Sequence, residues 1–187
     1  MKKITILIVI LFLGILMFYI SKVAISYSRK QSLLNTIESF ESKQVFLPDS
    51  MICFVDGVSR YEAVGRTPLK YILYFSPEDC SNCIISGMIR FDHIFDLGKE
   101  MGFDVVCILT PKDEYYQEAL NMLKMFPYDN PVYIDDGSFY HANINVIPED
   151  NQLHSFLLDR DCHPVFVGYP STDRLKDILH KVVSSYN

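Results

Sequence analysis

Hydrophobic positions along the chain fall into three regimes. From Ile4 to Ile20 they are nearly continuous: of these 17 residues only Thr5 and Gly14 are not apolar and none is charged, with Lys2 and Lys3 just ahead. As a helix rising ~1.5 Å per residue the run is ~26 Å long, close to the ~30 Å of a bilayer core. That predicts a membrane anchor or uncleaved signal over residues 1–22. Val23, Ile25, Leu33, Leu34, Ile37 and Phe40 then recur at mixed helical spacings among Ser, Lys and Glu, which predicts a helical stalk over residues 23–46. Beyond Leu47-Pro48 the apolar residues come in short blocks separated by turn formers, as in a globular domain.

Residues 47–69 read as a lead-in, with a short strand from Met51 to Val55 closed by Asp56-Gly57 and a polar, turn-rich stretch from Ser59 to Pro68. The main domain is expected over residues 70–187. Tyr71 to Phe75 is wholly apolar, as in a central strand buried on both faces. A helix is expected from about Cys80 to Glu100, a strand from Phe103 to Leu109, and a helix from Thr110-Pro111 to about Met125. A short strand follows at Pro131–Ile134, then one helical turn from Ser138 to Ile144. Phe156–Leu158 and Val165–Val167 read as a hairpin, and Thr172 to Val183 as a terminal amphipathic helix. Strands alternating with helices imply parallel pairing, while the last hairpin is antiparallel, so the fold class is α/β, a mixed sheet with helices on both faces.

Composition narrows the function. With 187 residues, 49% hydrophobic and 21% charged, the chain has room for one domain plus its appendage and is too apolar to be disordered. Residues 23–187 carry 14 basic and 23 acidic side chains, a formal charge of −9. So acidic a body lacks the Lys and Arg surplus with which nucleic-acid binders neutralise phosphate, and no nucleic-acid partner is expected. Nor would it be drawn to anionic lipid, which suits tethering to the membrane through residues 4–20. Signal cleavage requires small residues close behind a shorter apolar region, and Ala24-Ile25-Ser26 lies beyond Lys22, so retention of the anchor is favoured. If the run acts as an export signal, the body faces the oxidising side of the membrane.

Candidate chemistry centres on Cys80-Ser-Asn-Cys83, where the first buried strand gives way to the first long helix. A cysteine at a helix start faces free backbone N–H groups that stabilise its thiolate, and a second cysteine one turn on can resolve a mixed disulfide. Cys80 is then the attacking nucleophile and Cys83 the resolving thiol. The bland reading is a structural or vestigial pair. A structural zinc site needs two more ligands, and the chain has neither a second C-x-x-C nor an H-x3-H. Cys53 and Cys107 lie in apolar strands and read as small buried hydrophobes, while Cys162 sits in a turn and is expected to be a free thiol.

From about Lys70 to Val183 the chain resembles the thioredoxin-like superfamily, and within it the membrane-anchored bacterial TlpA and ResA type. The resemblance is carried by Phe75-Ser-Pro-Glu-Asp-Cys80-Ser-Asn-Cys83, by Ser155-Phe-Leu-Leu-Asp159-Arg-Asp and by Val165-Phe-Val-Gly168. It implies a thiol-disulfide oxidoreductase with a redox-active disulfide and no other cofactor, acting on protein thiols and disulfides at the periplasmic side of the inner membrane.

Three positions depart from that pattern. Leu153-His154 stands where the superfamily carries a cis-proline, Glu78 and Asp79 place two carboxylates beside Cys80 where the residue before the first cysteine is usually Trp, and Tyr74 replaces a buried acid. The carboxylates oppose a thiolate at Cys80, or Glu78 serves as a proton acceptor. On this alignment His154 faces the cysteines, as a base, as a third ligand with Cys80 and Cys83 for Cu(I), or as a loop histidine hydrogen-bonded to backbone. The alternatives to the oxidoreductase are therefore a Cu(I)-binding or assembly module and a non-catalytic thioredoxin-fold partner-binding protein.

Overall fold

A computed structural model describes residues Lys2–Tyr186, with the side chains of residues 2–13 and 15 outside that description. It divides into two compact units, residues 1–39 and 40–187. The first is nearly all of helix α1 (Lys2–Glu41), whose described side chains from Leu16 to Tyr27 are exposed, among them Phe18, Tyr19 and Ile20. Most of the apolar run expected to span a membrane thus lies outside the described side chains. Among the described residues no helix is long and apolar enough to cross a membrane.

The second unit is built on one seven-stranded mixed sheet of β1 (Ser50–Val55), β2 (Val58–Ala63), β3 (Lys70–Phe75), β4 (Asp104–Leu109), β5 (Val132–Ile134), β6 (Ser155–Leu158) and β7 (Pro164–Val167). Its spatial order is β2-β1-β5-β4-β3-β6-β7. The centre is parallel, β3 beside β4 and β4 beside β5, while β6 runs antiparallel to both β3 and β7. The helices are α2 (Ser81–Ser86), α3 (Asp92–Met101), α4 (Tyr116–Met125), α5 (Ser138–Asn143) and α6 (Asp173–Tyr186). This is the mixed α/β architecture, one sheet with helices on both faces, that the alternation of elements implied.

Side-chain alternation along the central strands divides the core into two layers. Tyr71 and Leu73 of β3 and Val105, Cys107 and Leu109 of β4 pack with Ile85, Ile94, Leu123 and Leu179, from α2, α3, α4 and α6. Their neighbours Ile72, Tyr74, Val106 and Ile108 face the opposite layer, with Phe139 of α5, Phe156, and Phe40 and Val45 from the chain just before β1. Burial on both faces is why these strands read as unbroken apolar runs. Phe40 closes edge-on against Phe156 with ring centroids 5.1 Å apart, so the helix terminus at 40–41 contributes to the domain core.

Two local features differ from the sequence expectation. The polar stretch after Asp56-Gly57 is a strand, because both turn residues adopt positive φ (52° and 73°), the two-residue hairpin geometry that matches strand twist. β2 lies at the sheet edge with most of its residues exposed, so it shows no hydrophobic alternation. The long helix expected from Cys80 is broken instead: α2 stops at Gly87, a 3-10 turn spans Met88–Phe91, and α3 resumes at Asp92. Its end is as expected, with Gly102 left-handed at φ 82° and its N–H bonded to the Gly98 carbonyl.

Candidate active site

β3 delivers the chain to a tight turn at the carboxyl end of the sheet. The Asp79 N–H bonds the Ser76 carbonyl at 3.0 Å, and Asp79 Oδ2 accepts from the Ser76 N–H at 2.8 Å and the Ser76 hydroxyl at 3.0 Å. Cys80 follows as the N-cap of α2, extended at φ −73° and ψ 96°, with its Sγ accepting the Cys83 N–H at 3.3 Å. Cys80 and Cys83 form a disulfide across one helical turn, with Cα atoms 5.2 Å apart, and both residues are exposed. Cys80 also lines an open groove from which a thiolate can approach the pair, and the N–H aimed at Cys80 Sγ would stabilise the anion released when the disulfide opens.

The carboxylates beside the pair are both engaged. Glu78 pairs with Lys112 at 3.1 Å, and Asp79 takes the two Ser76 donors plus Asn151 Nδ2, on Oδ1 at 2.9 Å. On the α4 side, Asn82 Nδ2 donates to Glu118 at 2.6 Å. Cys80, Lys112, Tyr115 and Glu118 line a groove of about 440 Å3. The negative charge next to Cys80 is thus held in place by donors instead of pointing freely at the sulfur, which softens the penalty that Glu78 and Asp79 would impose on a thiolate.

Tyr74 is buried and bonded to Thr110, and burial holds its phenol protonated well above the ordinary range. Thr110 donates to Asp135, a buried carboxylate that also accepts the Phe139 and Tyr140 N–H groups at 2.9 and 3.0 Å. Asp135 therefore pins the start of α5, a structural duty in keeping with its place in the Asp135-Asp136-Gly137 turn.

His154 is placed otherwise than as an open ligand. It is 6% exposed, its Nε2 donates to the Pro148 carbonyl at 2.8 Å, and its ring lies 4.9 Å from that of Tyr74. A carbonyl only accepts, so this bond assigns the proton to Nε2 and leaves Nδ1 as a buried acceptor without a hydrogen-bond partner. Burial lowers its pKa, against smaller opposing effects of the Pro148 bond and of Asp79 and Asp150. The geometry matches the backbone-bonded alternative. Cys80 and Cys83 are joined to each other and His154 is bonded to the Pro148 carbonyl; among the described residues no group of three His, Cys, Asp or Glu side chains is arranged to hold a metal ion. Leu153 is buried in the 3-10 turn Asn151–Leu153, and the described residues contain no cis peptide.

The remaining thiols divide by burial. Cys53 and Cys107 are fully buried and free, and burial pushes each thiol up to about 12. Cys162 is free and half-buried in a left-handed turn at φ 61°. Lys112 and Asn151 escaped the sequence reading because each meets the site through a tertiary contact. Ser76 carried a local signal, a hydroxyl three residues before a carboxylate, in the manner of a helix-capping pair.

No protein-family model and no curated protein matches the chain by sequence. Solved structures similar to it include the thiol:disulfide interchange protein DsbE of Chlorobium tepidum, at 13% identity over 75% of this chain and 99% of that one, with a TM-score of 0.41. Copper-bound ScoI of Arabidopsis thaliana matches at 15% identity over 76% and 99%, TM-score 0.40. AhpC of Mycobacterium tuberculosis matches at 14% over 76% and 90%, TM-score 0.39.

Proposed function

We propose that this chain is a thiol-disulfide oxidoreductase of the TlpA-like kind, tethered through residues 4–20 with its body on the extracytoplasmic side of a bacterial inner membrane, and working on protein thiols and disulfides. The observation that carries the reading is the exposed Cys80–Cys83 disulfide at the junction of β3 and α2, with a backbone N–H on Cys80 Sγ. Tethering and location rest on the apolar run and the acidic body alone.

In the reduced protein, the Cys80 thiolate attacks a partner disulfide, forming a Cys80–partner mixed disulfide and releasing one partner sulfur as thiolate. Cys83, deprotonated, then attacks Cys80 Sγ, forming the Cys80–Cys83 bond and releasing the second partner sulfur. Two electrons pass to the partner and the two protons of the dithiol end on its thiols. The reverse sequence, opened by a partner thiolate, oxidises the partner instead.

Cys83→Ser removes the resolving step and should accumulate mixed disulfides on Cys80, visible as dithiothreitol-sensitive adducts on non-reducing gels, while the unsubstituted chain reduces insulin with dithiothreitol as electron source. Absence of both adducts and insulin reduction would exclude exchange as the function.

A further inference from the structure

Asp79 is where two distant parts of the domain meet. One carboxylate oxygen is held by Ser76 within the turn ahead of Cys80, and the other accepts Asn151 Nδ2 at 2.9 Å from 72 residues further on. Asn151 opens the 3-10 turn before β6, and the far end of that turn is fixed to the sheet, because the Tyr74 N–H bonds the His154 carbonyl at 2.9 Å. The Asp79–Asn151 bond therefore closes a loop between the cysteine-bearing turn and the sheet. Cavities lie on either side of it. Asp79 lines the groove at Cys80, of about 440 Å3, and Asn151 lines a cavity of about 430 Å3 walled by Tyr74, Tyr140, Ile147 and His154. Pro77 and Glu78 border both.

We infer that Asp79 and Asn151 form a latch that fixes the position of Cys80 and keeps its groove separate from the cavity at His154, so that a partner's sulfur reaches Cys80 from the side of Lys112, Tyr115 and Glu118. This inference rests on the exchange reading. Asp79 is a positioning residue in it, acting through the backbone of the turn. A hydrogen bond to a carboxylate is stronger than one between neutral groups, which suits it to holding an exposed loop. Exchange requires the attacking and leaving sulfurs in line, and a misplacement of about 1 Å at a reacting group can cost ~100-fold.

A partner swap tests the latch. Asn151→Asp sets two carboxylates against each other and opens it. Asp79→Asn alone preserves it, since the Asn151 amide can rotate to present its oxygen. Asp79→Asn combined with Asn151→Asp restores a donor–acceptor pair with the charge moved across, while the amide oxygen at 79 still accepts from Ser76.

In the full chain, Asn151→Asp should lower kcat/KM for insulin reduction about tenfold and speed hydrogen exchange at the Leu153 and His154 amides, and the double variant should return both to within about threefold of the starting values. Wild-type rates and protection in Asn151→Asp, or no recovery in the double variant, would overturn the latch. Should the unsubstituted chain reduce no insulin, the exchange reading fails, and the hydrogen-exchange arm still decides whether the latch exists.

Discussion

Cysteines occupy two places in one sheet, its interior and its carboxyl end, and the contrast between them explains why one pair can do chemistry. Cys53 on β1 and Cys107 on β4 flank β5, opposite Tyr133 and Val132 respectively, at 0% and 1% exposure. Burial lifts each thiol to about 12, and at Cys53 it outweighs the opposing pull of Arg60 and of a backbone hydrogen bond to Val132. Cys80 and Cys83 lie one turn beyond the end of β3, exposed, joined to each other, with an N–H directed at Cys80 Sγ. The same side chain is filler in one place and a two-electron couple in the other. What separates them is where the strand stops.

The sharpest way to break that contrast is alkylation of the reduced, folded protein. At pH 8 a thiol of pKa about 12 is thiolate in roughly one molecule in 10^4, and burial shields it further. Iodoacetamide should therefore modify the exposed Cys80 and Cys83 at least ~100-fold faster than Cys53 and Cys107, read by peptide mass spectrometry. Comparable labelling of all four would mean that the interior opens readily and that the contrast is false.

A second experiment separates the regions energetically. Phe156→Ala empties the contact with Phe40 in the layer remote from α2 and should destabilise the domain by roughly 3–5 kcal/mol in urea unfolding. The exchange rate per folded molecule should stay within about twofold, because Phe156 touches neither the Ser76–Asp79 turn nor the Asp79–Asn151 bond, and the backbone of β3 and β6 that carries them stays paired in folded protein. A parallel loss of exchange in fully folded protein would show that the two regions are coupled.

How much of this was legible in sequence follows from how local each feature is. β3 and β4 announce themselves because burial on both faces demands unbroken apolar residues, and Cys80–Cys83 because its chemistry needs only one turn of helix. β2 was hidden by its edge position, which removes the alternation. The break at Gly87 was hidden because Ile84, Ile85 and Met88 keep helical spacing through it. Phe40 and Val45 read as stalk, although they fill the core, since nothing in their own neighbourhood distinguishes them from residues of a polar helix. His154 ends the 3-10 turn before β6, and its orientation depends on the Pro148 carbonyl and the Tyr74 ring, neither of which leaves a mark in the local sequence.

His154 also carries the smallest of the expected effects and extends the contrast from acids to a base. Burial keeps Cys53 protonated and His154 unprotonated by the same means, the cost of placing a charge away from water. With its pKa lowered below the ordinary 6.5, the folded protein binds fewer protons at this ring than the unfolded chain does as pH falls through 6.5. Stability contributed by the neutral ring is therefore complete above pH 6.5 and lost progressively below it, with a slope of at most one proton, about 1.4 kcal/mol per pH unit. His154→Gln supplies an amide donor for the Pro148 carbonyl but cannot titrate, so urea unfolding between pH 7 and about 5 should show a shallower decline than the unsubstituted protein, the other carboxylates and histidines contributing alike to both. Identical slopes would mean that His154 is as free to ionise in the folded domain as in the unfolded chain, and that the boundary between interior and surface runs on the other side of this ring.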